Sequence, residues 1–372
     1  MDYHIIYTTD AIREYIGDAG IIAFDFETSP DDAWRDEPKA ALDAHKAHIV
    51  GISLSVSEGS AVYIPLAHKV GDNAADPVSV MEYLREAVFE NPKVVKVAHN
   101  LSFEAMFLYA LGIVVCEPCY DTIAAAQLTL KSKFEFRNLS DSGLKLLSTS
   151  LFGANMPDFN TVTAGRHFDE MDPEDDETLR YACADSDYTL RLYHKFNGWF
   201  DKNLPSHRNL VEQVESPTAV YCGMMKYNGV PMNAAAMLER QKEAEEKIVS
   251  LRAEIDEMTG GVDIGANAST SAFKQYLYKD LGLPVLKTTE KHQEAADDAT
   301  MILLAEYCQE KRPELVRLFE LVQEYRRWGK LKSTYIDGYM THINAATGRI
   351  HPDLMPLGTE TGRFASRNPN LQ

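Results

Sequence analysis

The sequence predicts an α/β protein with a mixed sheet in its first half, followed by a mostly helical domain. Three observations predict this class. Short apolar runs of strand length alternate with helical periodicity over the first 200 residues, and three of those runs precede any long helix. After Leu204-Pro205, long helical patterns follow one another with short breaks. Adjacent strands without a helix between them favour a mixed sheet over a doubly wound parallel sheet, and 372 residues are enough for two domains.

Apolar runs in the first half predict four strands, at 21–27, 48–56, 61–66 and 93–99. Helical periodicity in the same half predicts helices at about 78–90, 102–111, 121–131, 139–150 and 173–197. Asp172 is the expected N-cap of the last of these helices. The second half predicts helices at about 208–228, 233–258, 270–280, 297–309 and 312–342. No GxGxxG or P-loop sequence occurs, so the nucleotide-binding folds built on those motifs have no support.

The composition is typical of a globular protein, with 45% hydrophobic and 25% charged residues. No apolar run approaches the roughly 18 residues that span a bilayer, and the first residues do not resemble a signal peptide. We therefore expect a cytoplasmic protein without a membrane partner. The five cysteines are scattered, and Cys116-Glu-Pro-Cys119 has no second pair to complete a zinc site, which favours ordinary reduced thiols.

The net charge of -19 argues at first against a nucleic-acid partner. The charge is unevenly distributed, however, because residues 1–200 carry a net -16 and residues 201–372 only -3. An acidic domain can act on DNA when divalent cations mask its carboxylates. The second half also contains a local basic stretch, formed by Arg326, Arg327, Lys330 and Lys332. Global charge therefore does not decide the partner.

A small set of acidic residues is the strongest chemical signal in the first half. Asp25 and Glu27 lie two apart in a predicted strand and so share one face of it. Glu104 lies just after the predicted strand at 93–99, where a predicted helix begins. Tyr181 and Asp185 are four apart on a predicted helix, again on one face, whereas Asp187 is expected to be a solvated charge.

If the four carboxylates converge, each pair repels by roughly 2.5 kcal/mol at an effective dielectric near 20. Such a cluster must take up protons or cations. Oxygen ligands alone select hard ions such as Mg²⁺ or Mn²⁺ over zinc, and two such ions form the clamp used in phosphodiester hydrolysis. For Asp25 and Glu27 alone, an exposed strand end is the alternative.

These residues lie in segments whose order and spacing resemble a known family. Asp25-Phe-Glu27, Asn100-Leu-Ser-Phe-Glu104 and Tyr181-Ala-Cys-Ala-Asp185 resemble the three motifs of the DEDD 3'-5' exonuclease superfamily, in its tyrosine-bearing branch. Asp121-Thr-Ile-Ala-Ala-Ala is similar to the helix start after the second motif in proofreading domains of the bacterial polymerase I type. The resemblance implies a ribonuclease H-like exonuclease domain over residues 1–205.

The second half resembles the beginning of the polymerase region of family A DNA polymerases, with a phage-like member as the expected kind. Residues 214–232 are similar to the entry to that region, residues 325–335 to the long helix of the thumb, and residues 359–372 to the sequence that introduces the palm. The resemblance implies a thumb at 206–345 and an incomplete palm at 346–372. We expect no polymerisation by this chain alone, and a separate palm and fingers chain is a candidate partner.

The resemblance also implies roles for individual residues, with DNA as the partner. Asp25, Glu27 and Asp185 would hold one divalent ion, and Asp25 with Glu104 a second, while Tyr181 would orient the attacking water. Asn100 and Phe103 would hold the terminal nucleotides, with a core position as the alternative for Phe103. Phosphate contacts in duplex DNA would come from Arg326, Arg327, Lys330 and Lys332, with a solvated helix face as the alternative for each. Arg363 would lie near the template-primer.

One departure from the family pattern concerns Glu104, because the family's second motif normally has aspartate there. The side chain is longer by one methylene, so altered rather than abolished activity is expected. Two alternatives remain open. One is a free-standing RNase D-like exonuclease that acts on RNA. The other is a non-catalytic DNA-binding scaffold subunit of a split polymerase, in which Glu104 marks a decayed site and a separate chain supplies the palm. If the protein is phage-encoded, the expected location is the bacterial host cytoplasm.

Overall fold

The computed structural model describes residues 1–131, 142–265, 269–359 and 362–372. The start of the predicted helix at 139–150 lies outside the described residues. The first half forms one six-stranded sheet, with strands β1 (Asp2–Ile5), β2 (Ile21–Pro30), β3 (Ala47–Ser57), β4 (Ser60–Pro65), β5 (Val95–Ala98) and β6 (Cys119–Asp121). Their order across the sheet is β1-β4-β3-β2-β5-β6. The central pairs β2–β3 and β3–β4 are antiparallel and the outer pairs parallel, so the predicted mixed sheet is confirmed.

Nine helices of this half occur in the described residues: α1 (Thr9–Ile16), α2 (Pro77–Leu84), α3 (Leu101–Ala110), α4 (Thr122–Lys131), α5 (Leu144–Phe152), α6 (Phe159–Thr163), α7 (Asp176–Asn203), α8 (Pro205–Leu210) and α9 (Ser216–Asn228). Single π-helical turns extend α2 over Arg85–Phe89 and join α8 to α9 over Val211–Glu215. Three short 3-10 turns lie at Asp32–Trp34, Ala40–Leu42 and Phe168–Glu170. The strand and helix patterns of the sequence therefore predict most of the long elements.

The two faces of the sheet are covered by different helices, as the alternation along β2 shows. Phe24 and Phe26 point into a core shared with α1, α2, α3 and α9. Ala23 points to the other face, where it packs with residues of α4, α5 and α7. Asp25 and Glu27 have the same parity as Ala23, so their side chains face α7. The sheet thus delivers both acids to the helix that carries Tyr181 and Asp185.

Helix α7 begins later than the sequence predicts. Asp172 does not cap it; its side chain instead accepts a hydrogen bond from the backbone N–H of Glu174 at 3.0 Å and forms a separate turn. The helix starts after Asp175, with acidic Asp176 and Glu177 in its first turn, where they complement the helix dipole. This Asx-type turn contains Asp172 and Pro173 and precedes the helix, so Asp172 is not the N-cap of α7.

The chain divides into two compact units, residues 1–230 with 351–372 and residues 231–350. These boundaries differ from the predicted ones at 205 and 345. Residues 206–230 stay with the sheet because Ala219 and Val220 of α9 are buried in the core below α3. Gly223 allows the close approach of the two helices, since a Cβ there would lie 2.4 Å from the carbonyl oxygen of Ser102.

The second unit is mostly helical, as predicted. Its helices are α10 (Ala234–Thr259), α11 (Ser271–Gln275), α12 (Asp298–Lys311), α13 (Val316–Lys330) and α14 (Gly338–Met340). A π-helical segment follows α11 over Tyr276–Asp280 and another joins α13 to α14 over Leu331–Asp337, with a 3-10 turn at Pro313–Leu315. Phe273, Leu304 and Phe319 are fully buried at the centre of its core.

The remaining strands are short: β7 (Val230–Pro231), β8 (Arg349–Ile350), β9 (Asp353–Met355) and β10 (Ala365–Arg367). Strands β9 and β10 pair in antiparallel fashion within the first unit. Asp353 of β9 is anchored to α9 by an ion pair with Lys226 at 2.6 Å. Across the described ranges, no helix has the length and apolarity needed to cross a membrane.

Candidate metal centre

Three of the predicted acids meet between the sheet and α7. Asp25 and Glu27 come from β2 and Asp185 from α7, and one carboxylate oxygen of each lies within 4.8 Å of the others. The register of β2 against β3 shifts directly after Glu27, which is a bulge of the kind that re-aims a side chain near a functional site. The two-residue period of β2 thus puts Asp25 and Glu27 on one face, and α7 brings Asp185 to the same point.

The environment of this group disfavours negative charge. Burial, and then the charge of Asp185, raise the pKa of Asp25 well above its ordinary value. Burial raises the pKa of Glu27 as well, with added repulsion from Asp25 and Asp185. Burial also raises the pKa of Asp185 to about 6. Without a cation, these carboxyl groups would therefore hold protons at higher pH than free aspartate or glutamate does.

Two oxygen atoms in the group lack a hydrogen-bond partner. Glu27 Oε1 and Asp185 Oδ1 are buried, and no donor reaches them from the described residues. A buried acceptor without a donor costs free energy, so such atoms call for a proton, a water or an ion. Clustered carboxylate oxygens in this state fit a hard divalent cation. The donor set therefore fits the metal that the sequence predicts.

Glu104 lies beside this group without belonging to the 4.8 Å set. It sits in the first turn of α3, is 2% exposed, and its Oε2 also has no donor among the described residues. Burial, and then the charge of Asp25, raise its pKa well above the ordinary value. Asp25 therefore interacts electrostatically with Glu104 as well as with the other two acids, and its sharing by two ions stays a prediction.

The start of α3 is fixed by a carboxylate from the neighbouring strand. Asp121 at the end of β6 accepts hydrogen bonds from the backbone N–H groups of Asn100 and Leu101, at 3.1 and 3.2 Å. Asn100 turns the chain in the left-handed region at φ 75°, and its exposed side chain accepts a hydrogen bond from Ser102. These contacts aim the first turn of α3, and with it Glu104, at the cluster.

Tyr181 lies one turn before Asp185 on α7, as predicted, with only 7% of its surface exposed. Its ring packs against Phe168 at 5.8 Å and Phe159 at 6.0 Å between ring centroids. Burial, and then the charges of Glu27 and Asp185, raise the pKa of its phenol, so the phenol stays protonated. A neutral phenol next to the acids can donate a hydrogen bond.

Two residues near the acids are not predicted by the sequence. Lys145 of α5 places its Nζ 4.5 Å from the centre of the Tyr181 ring. Phe159 of α6 keeps 40% of its surface exposed beside Tyr181. Neither belongs to a motif in the sequence. An isolated lysine or phenylalanine is ordinary in an amphipathic helix, so only their placement distinguishes them.

Phe103 fits its alternative interpretation better than its predicted role. Its ring packs on Phe107, 5.0 Å away between centroids, and against the core on the α1, α2 and α3 side of the sheet. It remains partly exposed, so a nucleotide contact by its edge stays a prediction.

Asp187 is not the solvated charge that the sequence predicts. Its side chain is fully buried and accepts hydrogen bonds from the Tyr3 hydroxyl and the Gly59 backbone N–H, each at 2.8 Å. Arg191, one turn further along α7, forms an ion pair with it at 2.9 Å. The prediction fails because two of the three partners come from β1 and from the β3–β4 turn, which are far away in sequence and bury the carboxylate.

Of the four predicted phosphate-binding residues in the second unit, Arg326 is turned inward. It is 5% exposed and donates to the carbonyl oxygen of Ala296 at 3.0 Å and to the Ser269 hydroxyl at 2.6 Å. Its burial and these two hydrogen bonds argue against the predicted DNA contact, because the guanidinium is directed at protein acceptors.

The other basic residues of that stretch are closer to solvent. Arg327 and Lys330 are exposed, and neither forms an ion pair with a described residue. Lys332 is paired with Asp337 at 2.7 Å and with Glu245 at 3.2 Å. Arg363 is exposed in the connection between β9 and β10.

Two family models match the chain. The model of the 3'-5' exonuclease matches residues 3–198, which include all the acids of the cluster. The model of DNA polymerase family A matches residues 234–372. The chain belongs to the family A DNA polymerases with a 3'-5' exonuclease domain. The second match favours this family over a free-standing RNase D-like exonuclease.

Bacterial DNA polymerases are among the curated relatives that this chain matches. DNA polymerase I of Pseudomonas aeruginosa is 29% identical over 389 residues, which span 100% of this chain and 39% of that protein. DNA polymerase I of Chloroflexus aurantiacus is 29% identical over 333 residues, or 87% of this chain and 33% of that protein. The chain thus spans well under half the length of these relatives. Likeness to a phage enzyme has no support from them.

A solved structure shares the fold of the exonuclease and polymerase regions. The POL domain of Pol1 from M. smegmatis, in complex with DNA primer-template and dNTP, superposes with a TM-score of 0.74. The match covers 99% of this chain and 55% of that chain, at 16% sequence identity. The fold of family A polymerases therefore extends over the described chain.

Proposed function

We propose that this chain hydrolyses the terminal phosphodiester bond at the 3' end of single-stranded DNA and releases a nucleoside 5'-monophosphate. The observation that carries the proposal is the cluster of Asp25, Glu27 and Asp185 beside a protonated Tyr181, in which a buried oxygen of Glu27 and one of Asp185 lack donors among the described residues. A cytoplasmic location belongs to the proposal, since the relatives are bacterial DNA polymerases.

The proposal assigns Asp25, Glu27, Asp185 and Glu104 as ligands of two divalent ions, Mg²⁺ or Mn²⁺. When bound, the ions lower the pKa of an attacking water and act as Lewis acids on the phosphate. Tyr181 donates a hydrogen bond that orients this water. The proposal also assigns the contact with terminal bases to the exposed Phe159 ring, by stacking, and to the exposed Asn100 side chain.

Metal binding should stabilise the protein more at about pH 7.5 than at about pH 5. The raised pKa of Asp185, about 6 without metal, means that its ionisation destabilises the metal-free fold as pH rises from the ordinary value towards 6. At low pH protons already occupy the cluster and compete with the ion. We expect Mn²⁺ to raise the melting temperature clearly at the higher pH and little at the lower.

The measurement is thermal melting with and without Mn²⁺ at both pH values. Asp36→Ala, which removes an exposed aspartate in the same unit, is the matched control and should behave as wild type. Two outcomes would argue against a metal at this cluster. One is an equal rise in melting temperature with Mn²⁺ at both pH values, and the other is the same rise in Asp25→Ala as in wild type.

We also propose that Arg327 and Lys330 contact duplex phosphates. They lie three apart and so on one face of α13, exposed and without an ion pair among the described residues. Lys332 is already neutralised by Asp337 and Glu245, which leaves it little net attraction for DNA. Of the four basic residues predicted to contact phosphate, the proposal therefore retains Arg327 and Lys330.

Replacing Arg327 and Lys330 together by Ala should weaken duplex binding. It should also make the slope of log K against log salt less negative by about 2, because each phosphate contact contributes about -0.9 to that slope. Fluorescence anisotropy with labelled duplex over a salt series measures this slope. Lys332→Ala is the control, with an expected change below about 0.5. A slope that the double variant leaves unchanged would refute the assignment.

A further inference from the structure

Lys145 brings a positive charge to a site that is otherwise built of acids. It stands in the first turn of α5, between Leu144 and Leu147, which pack against α7 and the sheet. Its Nζ lies over the face of the Tyr181 ring, 4.5 Å from the ring centre. The packing of α5 on α7 therefore holds the ammonium group at a defined place beside Tyr181.

The electrostatic influence of Lys145 extends to the whole three-residue cluster. Its charge lowers the pKa of Asp25, of Glu27 and of Asp185, against the larger effect of burial in each case. Among the described residues, it is the cation that acts on all three. The pKa of Glu104 responds instead to Asp25 and Asp121. Its contact with the Tyr181 ring places Lys145 on the Tyr181 side of the site.

A charge count shows why the proposed reaction needs this group. Four carboxylates and two divalent cations together carry no net charge. The phosphodiester brings one negative charge into the site, and further charge develops on its oxygens in the transition state. A fixed cation in a partly water-excluded site stabilises such developing charge without rearrangement. Lys145 is the described side chain that is placed to supply it.

We propose that Lys145 is a catalytic residue whose ammonium group binds a non-bridging oxygen of the scissile phosphate. The proposal rests on the proposed exonuclease function. In the step, a bond forms between the water oxygen and phosphorus, and the bond between phosphorus and the 3' oxygen breaks. The water gives up a proton to solvent and the leaving 3' oxygen takes one up, while Lys145 keeps all its protons.

The test compares Lys145→Met with Lys145→Arg, using single-stranded DNA as substrate and direct Mn²⁺ titration of the same proteins. In Lys145→Met, kcat should fall by about tenfold to a hundredfold, with KM changed less than about threefold. Mn²⁺ should bind at least as tightly as in wild type, and up to severalfold tighter, because repulsion between the ammonium and the ion is removed. Lys145→Arg should keep at least about a third of kcat.

Lys195→Met is the matched control, since Lys195 is exposed on α7 of the same unit, and it should change neither quantity. An unchanged kcat in Lys145→Met would overturn the inference. So would a fall in kcat together with weaker Mn²⁺ binding, which indicates a disordered site, or a loss in Lys145→Arg as large as in Lys145→Met. Absence of nuclease activity in wild type would instead refute the proposed function itself.

Discussion

The Asp25→Ala variant is expected to lose about a thousandfold or more of the 3'-5' exonuclease activity while keeping its fold. Asp25 is the acid whose charge raises the pKa of both Glu27 and Glu104, which supports the proposal that it is a ligand of both ions. Removing a shared ligand deprives both ions of a contact, and the several kcal/mol of stabilisation that they supply correspond to about a thousandfold in rate. The release of mononucleotides from a 3'-labelled single strand with Mn²⁺ measures the loss.

The fold of Asp25→Ala should survive because the substitution removes repulsion rather than a contact. Asp25 makes no hydrogen bond from its side chain to another described residue, and its neighbours Glu27 and Asp185 are both acidic. Its melting temperature without metal should therefore be equal to or higher than that of wild type. Asp36→Ala is the control and should keep full activity. Equal rates of release by wild type and Asp25→Ala would support the non-catalytic scaffold subunit.

The sequence predicts those parts of the fold whose signal is local. The long strands β2, β3 and β4 and the long helices follow from apolar periodicity, because their own residues supply the buried faces. The sequence does not predict strands β1 and β6. They have four and three residues and pair only along one side, at opposite edges of the sheet. Such short edge strands carry too few apolar residues to show a period.

The candidate site likewise contains residues that the sequence predicts and residues that it does not. The pairs Asp25 with Glu27 and Tyr181 with Asp185 could be predicted, because a strand or helix period places each pair on one face. Lys145 could not, because its role depends on how α5 packs against α7. A run of basic residues predicts Arg326 as a DNA contact, yet its carbonyl partner Ala296 is 30 residues away in sequence. Periodicity indicates a shared face, but not which face is buried.

The Asp187→Ala variant is expected to lower the free energy of unfolding of the first unit by about 3–5 kcal/mol, because it breaks a buried ion pair on one side only. Asp187 is fully buried and binds Tyr3, Gly59 and Arg191, the last of which is 23% exposed. The substitution leaves the Tyr3 hydroxyl, the Gly59 N–H and the Arg191 guanidinium without their acceptor. Because the site is partly or fully buried, water replaces the lost acceptor only in part, and an unsatisfied donor costs free energy.

A matched control for Asp187→Ala exists on the same helix. Asp201→Ala also removes an aspartate paired with an arginine, Arg208, but Asp201 is 54% exposed, so the expected loss is below about 1 kcal/mol. Urea unfolding gives the free energies, and amide hydrogen exchange in β1, β4 and α7 shows that the loss falls on the first unit. Similar losses in the two variants would mean that burial adds nothing to the Asp187 pair. A large difference would establish that Asp187 ties β1 and the β3–β4 turn to α7, the helix that carries Tyr181 and Asp185.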